Sequence, residues 1–364
     1  MKKTLLVIAA VLIASCSSTP EEKAVAGAPQ FRVDPWWPKP LPSNWILGQV
    51  AGIAVDKNDH IWIVHRPSTL VDDEKGAQAK PPLTKCCIAA PPVLQFDRDG
   101  NLMRSWGGPG KGYDWPESEH GIFVDDDNSV WIAGNSPKDH QILKFTADGR
   151  FLQQLGRPGK SDGSNGTTQL GRPAHMIIDN GELYVADGYG NRRIAVFDAK
   201  TLAYKRHWGA YGERPSDDKL PAYDPHAAPM RSFGNPVHCV RISHEGLVYV
   251  CDRSNDRIQV FEKSGKFVRE IRVEPETMQN GSVWDLVFSE DPAQKYLFVA
   301  NGTNNYLLTV ERETGKVLNT FGRPGRMAGE LKWVHYLAID SKGNLYTSEV
   351  GTGRRAQKFL RVGP

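Results

Sequence analysis

Residues 236–271 read PVHCVRISHEGLVYVCDRSNDRIQVFEKSGKFVREI. Four short runs rich in Val, Ile, Tyr and Phe are separated by turn residues at SHEG, at the polar corner DRSND and at KSGK. Branched and aromatic side chains suit a pleated, half-buried surface, whereas Gly, Ser, Asn and Asp interrupt pairing. The stretch therefore predicts four antiparallel strands of about five residues each, with no apolar stripe at helical spacing. A sheet this small cannot cover both of its faces alone.

The same pattern recurs along the chain. Its copies begin VAGIAVDKNDHIWIVHR (50–66), EHGIFVDDDNSVWIAG (119–134), PAHMIIDNGELYVADGYGNRRIAVFD (173–198), the opening stretch, VWDLVFSEDPAQKYLFVANG (283–302) and WVHYLAIDSKGNLYTSEV (333–350). In each, a short apolar strand closes on an acid or serine, then come a turn, an aromatic strand and a polar corner. Six such units bury their faces by packing around an axis, so the predicted fold is an all-β, six-bladed β-propeller with a central channel. WGGPG, LGRPG and FGRPG fall between copies, where Gly and Pro suit the turn from blade to blade. The last copy lacks a fourth strand, and FRVDPWW (31–37) is expected to supply it, giving a propeller of residues 31–364.

The first sixteen residues, MKKTLLVIAAVLIASC, combine two lysines, a short apolar run and small residues before Cys16. They have the form of a bacterial lipoprotein signal, with Cys16 as the lipidated residue and residues 17–30 as a flexible tether. The expectation is an exported monomer, lipid-anchored at the outer membrane and facing the periplasm or cell surface. It would touch the membrane through its anchor only. A net charge of +3 with no basic stripe or arm excludes nucleic acid as a partner. Export favours disulfides. The HEG turn places Cys239 and Cys251 opposite one another, as a cross-strand disulfide or a close thiol pair. The sequence assigns no state to Cys86 and Cys87, in the Pro- and Lys-rich insertion 68–92.

Aligned on the residue that ends the first strand (Asp56, Asp125, Asp179, Ser243, Ser289, Asp340), the six copies carry Ala51, His120, Ala174, His238, Trp284 and His335 five positions earlier. Histidine stands in blades two, four and six and never between them. Alternate blades set three imidazoles about 120° apart around the channel, the donor set of a catalytic zinc or similar divalent metal. His175 is one residue out of phase, is expected to face the other way and is left out of the ligand set.

The pieces HGIFVD, VADGYGNRRIAVF, VHCVRIS, VYVCDRSNDRIQVFEKSGKFVREI, VHYLAID, NLYTSE and IVHR resemble the peptidyl-α-hydroxyglycine α-amidating lyases, six-bladed propellers of the NHL-repeat type. The resemblance covers roughly residues 45 to 360. It implies zinc on His120, His238 and His335, a catalytic tyrosine at Tyr189 and an active-site arginine at Arg66. It also shows departures. Tyr336 replaces an aspartate that helps hold a structural calcium, which puts calcium in question. Trp333 replaces a methionine, and Gly190 a disulfide cysteine. No hydroxylating domain accompanies the propeller. The implied activity is a metal-dependent carbon–nitrogen lyase acting on a small or peptide-derived α-hydroxy amide, with Tyr189 as base and Arg66 raising its acidity or forking onto a substrate carboxylate. Two alternatives from other classes are a non-catalytic binding or scaffold propeller and another His-metal hydrolase on the same frame.

Overall fold

The computed structural model describes residues 27–363. The expected signal with its Cys16, and residues 17–26 of the expected tether, lie outside them. Residues 27–30 are already packed. Ala28 is buried, the Tyr296 hydroxyl donates to the Gly27 carbonyl at 2.9 Å, and the Val362 N–H donates to the Gln30 carbonyl at 2.9 Å. Packing against the propeller thus includes residues 27–30 of the expected tether.

Six four-stranded antiparallel sheets follow one another around a channel. Blade one comprises Gln49–Val55, Ile61–Arg66, Val93–Phe96 and Leu102–Trp106. The inner strands of the others are Glu119–Val124, His175–Asp179, Val237–Ile242, Asp285–Phe288 and Val334–Ile339. Phe31–Asp34 pairs with Arg355–Arg361, so the N-terminal strand completes blade six and closes the ring. The apolar side chains form six clusters, one wedged between each pair of neighbouring blades. Closure matters here because it joins the first and last strands of the described chain in one blade, so the ring is held by ladder hydrogen bonds and not by packing alone.

The acid that ends the inner strand of blades one, two and six has a structural task. Asp125 Oδ1 accepts the N–H groups of Asp127 and Ser129 at 3.0 and 2.8 Å, while Oδ2 accepts the Trp131 indole at 2.9 Å. Asp56 holds Asn58, His60 and Trp62 in the same way, and Asp340 holds Lys342, Asn344 and Tyr346. The acid–turn–aromatic pattern is thus a hydrogen-bonded hairpin at the far end of the channel.

At the opposite end, the mouth, the second strands close on a carboxylate bonded to the arginine of the RIxVF strand. Asp187 meets Arg193 at 2.9 Å and Asp252 meets Arg257 at 2.7 Å, all four side chains buried. Removing one partner of such a pair strands a buried charge and costs about 3–5 kcal/mol. These pairs fix the corners that carry Tyr189 and Arg253. Cys239 faces Cys251 in register, with Cα atoms 4.8 Å apart and the sulfurs bonded; Cys86 and Cys87 are bonded to each other. The insertion that contains them leaves blade one at the mouth. It is pinned by Trp45–Ile46 against Ile88–Ala89 and by Glu74 on Arg354 of blade six at 2.6 Å.

Candidate metal centre

His120, His238 and His335 are each the second residue of an inner strand, and each lies at a register irregularity: between Glu119 and Ile122, Val237 and Cys239, and Val334 and Leu337. A bulge leaves one residue unpaired and re-aims its side chain. The three rings converge, with centroids 4.7 to 5.3 Å apart and planes nearly perpendicular. Their ligand atoms lie within 4.8 Å of one another.

The three blades between them supply the other half of the site. His120 Nδ1 meets the Ala174 carbonyl at 2.8 Å, His335 Nδ1 meets the Ala51 carbonyl at 2.6 Å, and His238 Nδ1 meets the Trp284 carbonyl. A carbonyl only accepts, so each Nδ1 carries the proton and each Nε2 presents a lone pair. Ala51, Ala174 and Trp284 are the residues that stand in the histidine position of blades one, three and five. Each histidine is therefore oriented by its counterpart in the next blade. Such outer contacts set ring direction and raise basicity. Gly121 is needed for this approach, since a Cβ there would lie 2.5 Å from the Ala174 carbonyl.

Burial holds all three imidazoles well below the usual histidine range, aided by the nearby arginines and, for His120 and His238, by the neighbouring imidazoles. They are neutral, the form that ligates a metal. His238 Nε2 is buried with no hydrogen-bond partner. An orphaned, oriented lone pair among three neutral imidazoles fits a divalent ion.

Tyr189 lies on the DGY corner at the mouth. Its hydroxyl donates to His120 Nε2 at 3.0 Å, and its ring stands edge-on to His120 and His238 at 4.9 and 5.8 Å. Arg172 and Arg253 flank the ring at 5.6 and 5.9 Å. Arg66 is largely committed to the scaffold. Its Nε donates to the Glu119 carbonyl at 2.7 Å, Nη1 to Gln49 Oε1 at 3.0 Å and Nη2 to Asn135 Oδ1 at 3.1 Å. Burial lowers its pKa, and the largest opposing influence is Tyr189, so the two groups share one field. Burial also pushes the neighbouring Glu119 carboxyl up to about 7.

Sequence reasoning missed Arg253. Strand pairing sets Val50 opposite His65 and Val237 opposite Asp252, so Arg253 is the blade-four counterpart of Arg66, across the ring from it. Arg253 is buried, stacks on Trp284 at 4.3 Å and has no partner for its Nε. It is the largest charge acting on His238. The equivalence of the IVHR and VCDR corners was the available signal.

Below the histidines the channel is filled. The Tyr336 ring stacks on His238 at 5.0 Å and 13° and stands edge-on to His335 at 4.7 Å. Its hydroxyl lies 2.9 Å from the carbonyls of both Ala174 and His238. His175 does not join the ligands; its ring stacks on Tyr336 at 5.2 Å and its Nδ1 meets the Val240 carbonyl at 3.1 Å. Lower still, Arg241 pairs with buried Asp285 at 2.6 Å. The tripod is therefore reached from the mouth.

No family model matches the chain. NHL repeat-containing protein 3 of Mus musculus is 26% identical over 355 residues, covering 91% of this chain and 84% of the relative. The probable peptidyl-α-hydroxyglycine α-amidating lyase of Caenorhabditis elegans is 27% identical over 322 residues, covering 85% and 81%. The chain is a six-bladed propeller similar to NHL-repeat proteins and to the amidating lyases. The rat peptidylglycine α-amidating monooxygenase matches 78% of the chain at 26% identity, over 28% of its own length. Among solved structures, a streptogramin B lyase superposes with a TM-score of 0.55 at 11% identity, covering 91% of this chain and 98% of that one, which supports the fold alone.

Proposed function

We propose that the chain is a metal-dependent carbon–nitrogen lyase of the peptidyl-α-hydroxyglycine α-amidating type. The observation that carries this reading is the tripod of outward lone pairs with the Tyr189 hydroxyl 3.0 Å from one of them. Zinc suits three neutral imidazoles with a position left open, and when bound it supplies Lewis acidity toward a hydroxyl or carboxyl oxygen.

The residues then divide the work. Arg253, whose Nε has no hydrogen-bond partner and whose guanidinium lies on Trp284 beside the tripod, receives the substrate carboxylate, and Arg66 braces the mouth through Glu119, Gln49 and Asn135. His120 Nε2 has a single lone pair, so were it to hold an ion, the Tyr189 hydroxyl would lose that acceptor and turn to the substrate. Tyr189 removes the proton of the substrate hydroxyl. The oxygen's electron pair forms the new C=O, the C–N bond breaks, and the nitrogen takes a proton, giving an amide and glyoxylate or a similar α-oxo acid. The plug of Tyr336, His175 and Arg241 confines the reaction to the mouth. Tyr336 stands where the resemblance puts a calcium-holding carboxylate, and its hydroxyl engages two carbonyls, so the proposal includes no second ion. Export, the anchor at Cys16 and a small or peptide-derived substrate belong to the same proposal.

The test is glyoxylate release from N-benzoyl-α-hydroxyglycine by the zinc-loaded protein. Loss of a general base costs about 10²–10⁴-fold in rate, so Tyr189→Phe should lose that much turnover while keeping its metal. A zinc-loaded wild type that releases no glyoxylate overturns the reading. A non-catalytic binding propeller is the second reading, since NHL repeat-containing protein 3 is named for its repeats alone; partner binding retained without metal would support it.

A further inference from the structure

Trp333 has φ +53°, a left-handed backbone that a bulky aromatic residue seldom adopts. It stands two residues before His335, and its surroundings hold it there. Its N–H donates to Asn305 Oδ1 at 2.6 Å, and its carbonyl accepts the Val350 N–H at 3.1 Å. Gly351 makes room for the ring; a Cβ there would lie 3.1 Å from the indole, in a backbone with φ +58°. Strain retained beside a reactive centre points to use.

The ring completes a wall that begins at the tripod. Trp284 lies 5.7 Å from His335 and 5.9 Å from His238, edge-on to both. Its indole N–H donates to the Gly281 carbonyl at 2.9 Å, and the absent side chain of Gly302 lets the ring settle, since a Cβ there would lie 2.5 Å from it. Arg253 covers Trp284 at 4.3 Å. Trp333 meets Trp284 at 5.3 Å and 69° and is only half-buried. From the histidines outward, then, a fixed buried indole gives way to a second indole that reaches solvent.

We propose that Trp284 and Trp333 form a subsite for the acyl side of the substrate, and that this chain selects α-hydroxyglycine amides whose acyl group is aromatic or broadly apolar. This rests on the reading above, which puts the carboxylate at Arg253 and the reacting carbon at the tripod. The group across the scissile bond is assigned to the part of the wall that reaches solvent, at Trp333. Aromatic rings pair with indoles edge-to-face or offset, and a small acyl group cannot reach both.

Non-reactive probes separate this subsite from the chemistry. Binding of N-benzoylglycine and N-acetylglycine to the zinc-loaded protein is measured by calorimetry. Wild type should bind the benzoyl probe about tenfold more tightly, as one aromatic contact supplies. Trp333→Gly removes the ring and suits the left-handed backbone; it should abolish the preference, bringing the two probes to equal affinity, with circular dichroism reading whether the fold is kept. Trp333→Phe should retain most of the preference. Equal binding of both probes by wild type, or a preference that survives Trp333→Gly, overturns the subsite. A preference that behaves as expected in a protein releasing no glyoxylate would uphold the wall and reject the lyase.

Discussion

Tyr336→Phe removes one oxygen from the floor of the tripod and leaves the ring that stacks on His238. That hydroxyl lies 2.9 Å from the carbonyls of Ala174 and His238, in a residue 1% exposed. Burial raises its pKa far above the usual phenol value, so at neutral pH it is a donor. Taking it away deprives two buried acceptors of a shared partner, at about 1–3 kcal/mol. Ala174 O is also the acceptor that aims His120, and losing support of that kind costs about 10–100-fold in metal affinity. Urea unfolding of the metal-free protein reads the first effect and zinc calorimetry the second. The account expects a lower midpoint with an unchanged slope, and at least tenfold weaker zinc binding. Unchanged stability with unchanged affinity would refute the view that the phenol is a strut for the tripod.

Three further outcomes follow from the same geometry. Arg253→Ala should raise KM for an α-hydroxyglycine amide more than it lowers kcat if the residue holds the carboxylate as proposed; steady-state kinetics decides it. Asp256 is buried with an unpartnered Oδ2, and burial pushes its carboxyl up from 3.8 to about 7. The folded state therefore keeps a proton that the unfolded state releases, and stability should fall as pH rises through roughly 4 to 7, then level off. At about 1.4 kcal/mol per pH unit, Asp256→Asn should remove up to about 4 kcal/mol of this loss. It should unfold at higher denaturant than wild type at pH 8 and not at pH 4. Reducing the bond between Cys239 and Cys251, which span 12 residues, should cost up to about 3 kcal/mol, seen as a lower urea midpoint with thiol present and absent in a Cys239→Ser, Cys251→Ser control.

The repeat was legible because each blade spells its turns in side chains: the acids at Asp56, Asp125 and Asp340 and the aromatics they hold. The histidine triplet was legible for the same reason, once the copies were aligned. Its other half was not. Ala51, Ala174 and Trp284 contribute carbonyl groups, and a backbone acceptor leaves no residue signature. Nor did the alternation reveal the bulges that turn the histidines inward, since a bulge is a matter of pairing register. Arg253 could have been found from the corner it shares with Arg66. Tyr336 read in sequence only as a missing carboxylate, and its reach to carbonyls in two other blades depends on the closed ring. Trp333 read only as a reshaped pocket, because its left-handed backbone and its contact with Trp284 arise between blades.

The central claim is that alternate blades build one metal site. Metal analysis of protein produced from residue 17 onward, beside His120→Ala, His238→Ala and His335→Ala, addresses it most directly. The account predicts about one equivalent of divalent metal per wild-type chain and a small fraction of that in each variant, with secondary structure retained. A wild type that purifies and dialyses against zinc without binding it, or variants that hold as much as wild type, would contradict it.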